Sequence, residues 1–150
     1  MFGGFTTGSI LTNELWILRI GKKPCDWIKP QIIGKPPSPR YLHSMSFYEE
    51  GNFLIVYGGR NDNIESSALN DIYLLELQKL EWIKVIVYSD SNIDVYNRCG
   101  HSSLVYSIYC DQVVNKLIIF GGMNNLNYIR SSFFILNLGI FILNRIVLLI

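Results

Sequence analysis

An excess of either charge is the first thing this chain lacks. Thirteen Lys and Arg residues face twelve Asp and Glu, for a formal net charge of +1. That balance leaves no electrostatic footprint for nucleic acid or an anionic membrane. A paired cysteine set is also missing. Cys25, Cys99 and Cys110 are odd in number and irregularly spaced, which favours reduced thiols in a cytoplasmic setting over a disulfide framework. No basic start followed by an apolar core opens the chain, as a secretory signal would. Alanine occurs once, against 21 isoleucines and 13 asparagines. AT-rich coding explains that imbalance more simply than any structural demand.

The motifs of common chemistry are absent as well. Phosphate cradling by a dinucleotide fold needs Gly-x-Gly-x-x-Gly entering a helix, and the sequence has no copy of it. His43 and His101 are the only histidines, and nothing assembles a third and fourth metal ligand near either. Cys99, His101 and Cys110 do not match structural zinc spacing. His43-Ser44 and His101-Ser102 are sequence neighbours on strands, so their side chains point to opposite faces. No Gly-x-Ser-x-Gly elbow occurs. No cofactor, metal or catalysis is expected.

What the chain has is repetition. Gly-Gly pairs stand at Gly3-Gly4, Gly58-Gly59 and Gly121-Gly122, each after an aromatic residue: Phe2, Tyr57 and Phe120. Gly4 to Trp27 and Gly59 to Trp82 are both 23 positions. Between them lie Asn13-Glu14-Leu15-Trp16 and Asn70-Asp71-Ile72-Tyr73, with a third version at Ser131-Ser132-Phe133-Phe134. Arg40-Tyr41-Leu42-His43-Ser44 matches Arg98-Cys99-Gly100-His101-Ser102. Apolar runs such as Phe53-Leu54-Ile55-Val56-Tyr57 are hydrophobic on both faces, as stacked sheets require.

Self-similarity at about 50 residues is the period of a kelch propeller blade. The ordered recurrence of Arg and His, double glycine, apolar-aromatic strand and spaced Trp resembles the kelch-repeat family, over residues 2–138. The resemblance implies an all-β, partial kelch-type β-propeller of four-stranded antiparallel blades. An incomplete first blade is expected over 1–33, a complete second over 40–87, and a third over 98–138 without a recognisable outer strand. Proline-rich residues 34–39 cross between the first two blades. Residues 139–150 form an apolar tail outside the pattern. A membrane span over 133–150 is not expected, because 131–138 already matches the repeat and Asn144 and Arg145 are costly in lipid. Further blades from a longer chain are expected, since propellers close with about 4 to 8. Exposed strand edges should make the chain associate.

The repeated positions Gly3, Gly4, Trp27, Arg40, His43, Gly58, Gly59, Trp82, Arg98, His101, Gly121 and Gly122 are expected to build the blades. Each Trp should pack on the glycine region and the neighbouring blade, and each His should bond backbone near the inner strand. The loops differ from copy to copy. Those after each double glycine (5–12, 60–68, 123–130) and the crossover 88–97 should share one end, with short turns at 49–52 and 78–81 opposite. Variable loops on a repeated scaffold are where binding concentrates. Arg60, Asp62, Asn63 and Glu65, then Asp90, Asp94 and Tyr96, then Asn124, Asn125 and Tyr128 are the candidate partner-binding residues. The resemblance implies a protein-interaction module with a protein partner. Its alternative is a kelch-like head cut from a larger enzyme such as a Ser/Thr phosphatase, whose metal-binding motifs are absent from this chain. Some propellers of this resemblance are copper oxidases with Tyr and His ligands, a set not assembled here.

Overall fold

In the computed structural model, which describes residues 1–21, 23–62, 68–88, 97–109, 113–138, 141–142 and 145–149, the regular elements are thirteen β-strands. The first blade contributes β1 (Phe2–Phe5), β2 (Leu11–Leu15), β3 (Ile17–Arg19) and β4 (Asp26–Ile28). β1 pairs with β2 and β3 with β4, both antiparallel. Met1 and Trp16 exchange backbone hydrogen bonds at the join. The chain thus passes from β2 to β3 at Trp16, as two short strands.

The outer strand of the first blade, β4, ends at Ile28. Pro30, which has no backbone donor, follows shortly after. Ile33 instead joins the second blade: its N–H donates to the Leu80 carbonyl at 3.0 Å, and it accepts from Trp82 N at 2.9 Å. A Cβ on Gly34 would stand 2.5 Å from the Trp82 carbonyl oxygen. Only glycine permits that approach.

The second blade is complete. β5 (Ser44–Tyr48), β6 (Phe53–Tyr57), β7 (Ile72–Glu76) and β8 (Glu81–Tyr88) pair antiparallel in chain order. Its tight turns place Asn52 and Leu80 in left-handed backbone, with φ of 53° and 55°. The third blade has β9 (Ser102–Tyr109), β10 (Val113–Phe120) and β11 (Phe133–Asn137). Its first hairpin pairs continuously from Val113↔Tyr109 to Phe120↔Ser102. The tail adds β12 (Phe141–Ile142) and β13 (Arg145–Leu149). β13 meets β11 at Asn137↔Leu149 and runs parallel to β8 from Val147↔Ile86 to Leu149↔Tyr88. The sheet order is β5-β6-β7-β8-β13-β11-β10-β9, and among the described residues the blades do not close a ring.

Two hydrophobic clusters hold the blades together, one at each junction. Ile55, Tyr57, Ile72 and Leu74 of blade two pack with Leu117, Ile119 and Leu136 of blade three. On the other face, Val56, Tyr73, Leu75 and Trp82 pack with Phe2 and Leu15 of blade one. The strand alternation anticipated from the sequence is what sends Ile55 and Val56 to different clusters. Each fully buried Ile, Leu or Val contributes about 1.5–3 kcal/mol over an exposed one.

Candidate functional site

The double glycines are two-sided slots between blades. All six take positive φ, from 60° to 97°. The first glycine of a pair faces the following blade. A Cβ on Gly58 would lie 2.6 Å from the Arg98 carbonyl oxygen and 3.1 Å from His101 Cε1. Gly3 meets the Arg40 oxygen and His43 Cε1 at 2.7 and 3.2 Å. The second glycine faces its own blade: Gly59 would meet His43 Cβ at 2.8 Å, and Gly122 would meet His101 Cβ at 2.9 Å. Gly4 N donates to Arg40 O at 2.7 Å, and Gly59 N to Arg98 O at 3.0 Å.

The arginines tie each blade's entry to its own double glycine. Arg40 Nη1 donates to the Gly58 carbonyl at 2.9 Å, and the guanidinium forks onto Asp71 at 2.6 and 2.9 Å. Arg98 Nη1 donates to the Gly121 carbonyl at 2.9 Å. Where blade two has Asp71, blade three has Ser132, whose backbone oxygen lies 3.4 Å from the same nitrogen. Each guanidinium also lies over the aromatic of the third strand, Tyr73 at 5.7 Å and Phe134 at 4.9 Å.

The histidines pack edge-on against the preceding blade, His43 on Phe2 at 5.5 Å and His101 on Tyr57 at 4.9 Å. Burial, and then the charge of Arg40 or Arg98, lowers both imidazoles to about 4. They are neutral at physiological pH. His101 Nε2 bonds Ser44 Oγ of the preceding blade at 2.8 Å, a side-chain partner in addition to backbone hydrogen bonding with Arg98 and Tyr57, while His43 has backbone hydrogen bonding with Phe2. His43 and Ser44 diverge as strand geometry demands, and the Ser–His pair forms across blades instead. Among the described residues no carboxylate bonds either imidazole, so no triad is assembled.

Trp82 packs at 4.9 Å on Phe2 and at 6.5 Å on Tyr73. Trp27 does not follow it: its side chain is 51% exposed. The ring that receives Trp82 belongs to the preceding blade, and the described residues supply no counterpart for Trp27.

The loops after the double glycines meet at one end. Tyr41 and Arg60 exchange backbone bonds at 2.9 and 2.7 Å, and Cys99 and Met123 do the same at 2.9 and 2.8 Å. Arg60 Nη1 donates to Asn127 Oδ1 at 3.1 Å, and Asn125 Oδ1 accepts from Ala68 N at 2.5 Å. Asn124 Oδ1 accepts from Leu126 N and Tyr128 N, both at 3.0 Å, and so folds its own loop. Neighbouring loops are therefore stitched into one surface. Leu126, Tyr128 and Ile129 stand out from it at 71%, 66% and 85% exposure.

Of the ten candidate residues, Arg60 joins blade three's loop, Asp62 and Tyr128 are exposed, and Asn124 and Asn125 serve as loop acceptors. Asn63, Glu65, Asp90, Asp94 and Tyr96 lie outside the described residues. Leu126 and Ile129 were not singled out from the sequence, because an apolar residue reads as core until its exposure is known. At the opposite end, Glu50 accepts from Ser107 Oγ at 3.0 Å. An apolar cavity of about 330 Å³ between blades one and two is lined only by Met, Leu, Ile and Trp residues. Among the described residues no group of three or more His, Cys, Asp or Glu could hold a metal, and no helix is long and apolar enough to cross a membrane.

Recurring Arg–His entries, double-glycine slots and stacked antiparallel blades define a partial β-propeller built from repeats. Residues 1–146 match the KLHDC2/KLHL20/DRC7 Kelch-repeats domain, and the chain belongs to the kelch-repeat family. It is 35% identical over 124 residues to a probable serine/threonine-protein kinase of Dictyostelium discoideum, covering 81% of this chain and 8% of that protein. It is 32% identical over 136 residues to Tip elongation aberrant protein 1 of Schizosaccharomyces pombe, covering 85% and 11%. Against Dynein regulatory complex subunit 7 of Chlamydomonas reinhardtii it is 36% identical over 85 residues, covering 56% and 7%. The chain thus spans between 7% and 11% of the length of these three relatives. Kelch-repeat domains are in general protein-interaction modules and typically non-catalytic.

Proposed function

We propose that the loop end of blades two and three binds a protein partner in the cytoplasm. The observation that carries this is the stitched pair of loops: Arg60 and Asn125 join them, and Leu126, Tyr128 and Ile129 project from the result. A cationic group beside exposed aromatic and aliphatic side chains has the composition of an interface hot spot. Free thiols at Cys25 and Cys99 suit a reducing compartment. A second reading, a recognition head carried on a larger enzyme, draws on the chain's likeness to a small part of a probable protein kinase. It changes what the module is attached to and leaves the binding surface the same.

Affinity capture with the 150-residue chain as bait tests the surface. Tyr128→Ala and Ile129→Ala should each weaken a captured protein at least about tenfold, equivalent to about 1.4 kcal/mol, with the melting temperature unchanged. Glu49→Ala and Lys79→Ala at the other end should leave capture intact. Asn125→Ala separates the roles, since losing the Ala68 cap should cost about 1 kcal/mol of stability. Capture lost through Glu49 or Lys79, and not through Tyr128 or Ile129, would move the surface to the opposite end.

A further inference from the structure

We infer that Ser132 is a phosphorylation site whose phosphate docks on the buried guanidinium of Arg98. One position of the blade occurs three times, as Glu14, Asp71 and Ser132. Each stands immediately before the cross-strand partner of the aromatic that precedes a double glycine. Leu15 pairs with Phe2, Ile72 with Tyr57 and Phe133 with Phe120. Two copies place a carboxylate at this position and the third a serine. The backbone there is the same, since Gly58 N donates to Asp71 O at 3.1 Å and Gly121 N to Ser132 O at 3.2 Å.

The arginine that faces the position is also the same. Arg40 and Arg98 each hold the carbonyl of the first glycine through Nη1 at 2.9 Å, and each guanidinium lies over the third-strand aromatic. In blade two the Asp71 carboxylate completes the arrangement by forking onto Arg40. In blade three Ser132 offers Arg98 its backbone oxygen at 3.4 Å, beside a side-chain hydrogen bond between Arg98 and Tyr57. A serine hydroxyl carries no charge, whereas a phosphoserine carries about −1.5 to −2 and three strong acceptor oxygens. Phosphate matches the planar fork of arginine as carboxylate does. Its side chain is longer than that of aspartate, and blade one already seats the longer Glu14 at this position. A second cation is close, because the charges of Arg98 and Arg130 both act on Tyr57.

A modifying enzyme can reach this position even in a blade flanked on both sides, where the Asp71 side chain is 22% exposed. Arg130 shortly before Ser132 and Phe133 just after it give a basic-then-apolar pattern for a serine kinase to read. In the step itself, Ser132 Oγ loses its proton to the kinase's base and bonds the γ-phosphorus of a nucleoside triphosphate. The bond from that phosphorus to its bridging oxygen breaks, and the nucleoside diphosphate leaves. The phosphate then ties the base of loop 123–130 to the entry of its own blade, where Arg130 N already donates to Gly122 O at 2.8 Å. Neither this site nor the loop end's binding of a partner depends on the other.

The folded chain, incubated with ATP and a panel of Arg-directed serine kinases, should carry phosphate on Ser132 when mapped by mass spectrometry. Phosphoserine placed at 132 by genetic encoding then tests the docking. By phosphorus NMR its second ionisation should fall about one pH unit lower in the folded chain than in urea, because an adjacent guanidinium favours the dianion. The melting temperature should rise by about 2–4 °C. Arg98→Gln should abolish the displaced ionisation. If that variant does not fold, phosphoserine at 131 is the comparison, and its ionisation should move less than half as far. No phosphate on Ser132 with any kinase of the panel overturns the proposal. So does an ionisation that is the same folded and unfolded, or one that stays displaced in Arg98→Gln. Equal displacement at 131 and 132 would show general attraction to basic side chains and would also overturn it.

Discussion

At the scale of single residues, two glycines in equivalent positions face different surroundings. Gly4 and Gly59 have φ of 89° and 97°, so any side chain pays a similar backbone penalty at either. A Cβ at Gly59 would meet His43 Cβ and the Tyr41 oxygen at 2.8 Å, while at Gly4 nothing lies within 4 Å. Gly59→Ala should therefore destabilise the chain by about 1–3 kcal/mol more than Gly4→Ala, the usual range for overpacking. Chemical denaturation of both variants measures the difference, and equal losses would show that backbone strain alone governs these sites. The histidines give a pH dependence of definite sign. Both imidazoles are lowered to about 4 from the ordinary 6.5, so the unfolded chain takes up their protons first as pH falls. Their contribution is intact above about pH 6.5 and is lost progressively toward pH 4. His101→Gln should flatten that part of the melting-temperature profile, with Ser44 Oγ still offered a hydrogen-bond partner.

At the scale of elements, the central strands and the first blade's outer hairpin differ in support. β6 and β7 each have a neighbour strand on both sides and side chains in both clusters. β3 and β4 pair with each other over three positions and leave Leu18, Ile20 and Trp27 exposed. Local opening follows buried contacts and protected hydrogen bonds. Amides of Ile55, Val56 and Leu74 should exchange slowest, and those of Leu18 and Trp27 at least about a hundredfold faster, equivalent to roughly 2.7 kcal/mol. Uniform exchange across these strands would mean that the first blade is held as firmly as the second. The tail belongs to this scale too. β13 takes a place beside β11 without the Trp that marks the outer strand in the first two blades, and it also runs along β8. Backbone pairing requires a strand there and no particular side chain.

At the scale of the whole molecule, the described residues form one complete blade flanked by partial ones, and the ring is open. Repeat proteins derive stability from contacts between neighbours, so their end faces are their least satisfied surfaces. Here Phe120 and Phe133 on blade three are 57% and 64% exposed, while their counterparts in blades one and two are buried. The loop end is a separate surface.

The sequence by itself determined the repeat, because spacing and residue type are local properties that survive without coordinates. The double glycines, the Arg–His entries and the two-faced strands made the blades and their order legible. They also showed that Ile55 and Val56 must face different neighbours. Only the tertiary structure decided which blade each glycine serves, since that depends on the carbonyls of Arg40 and Arg98 arriving from the next blade. It decided that Ser44 pairs with His101 across 57 residues, while the adjacent His43 packs on Phe2. It showed that Asn124 and Asn125 act as acceptors that fold and join loops, a role set by where Ala68 N and Tyr128 N point. It also separated Trp27 from Trp82. The two share a motif and a spacing, but burial depends on the ring that another blade brings to them, and no local pattern encodes that.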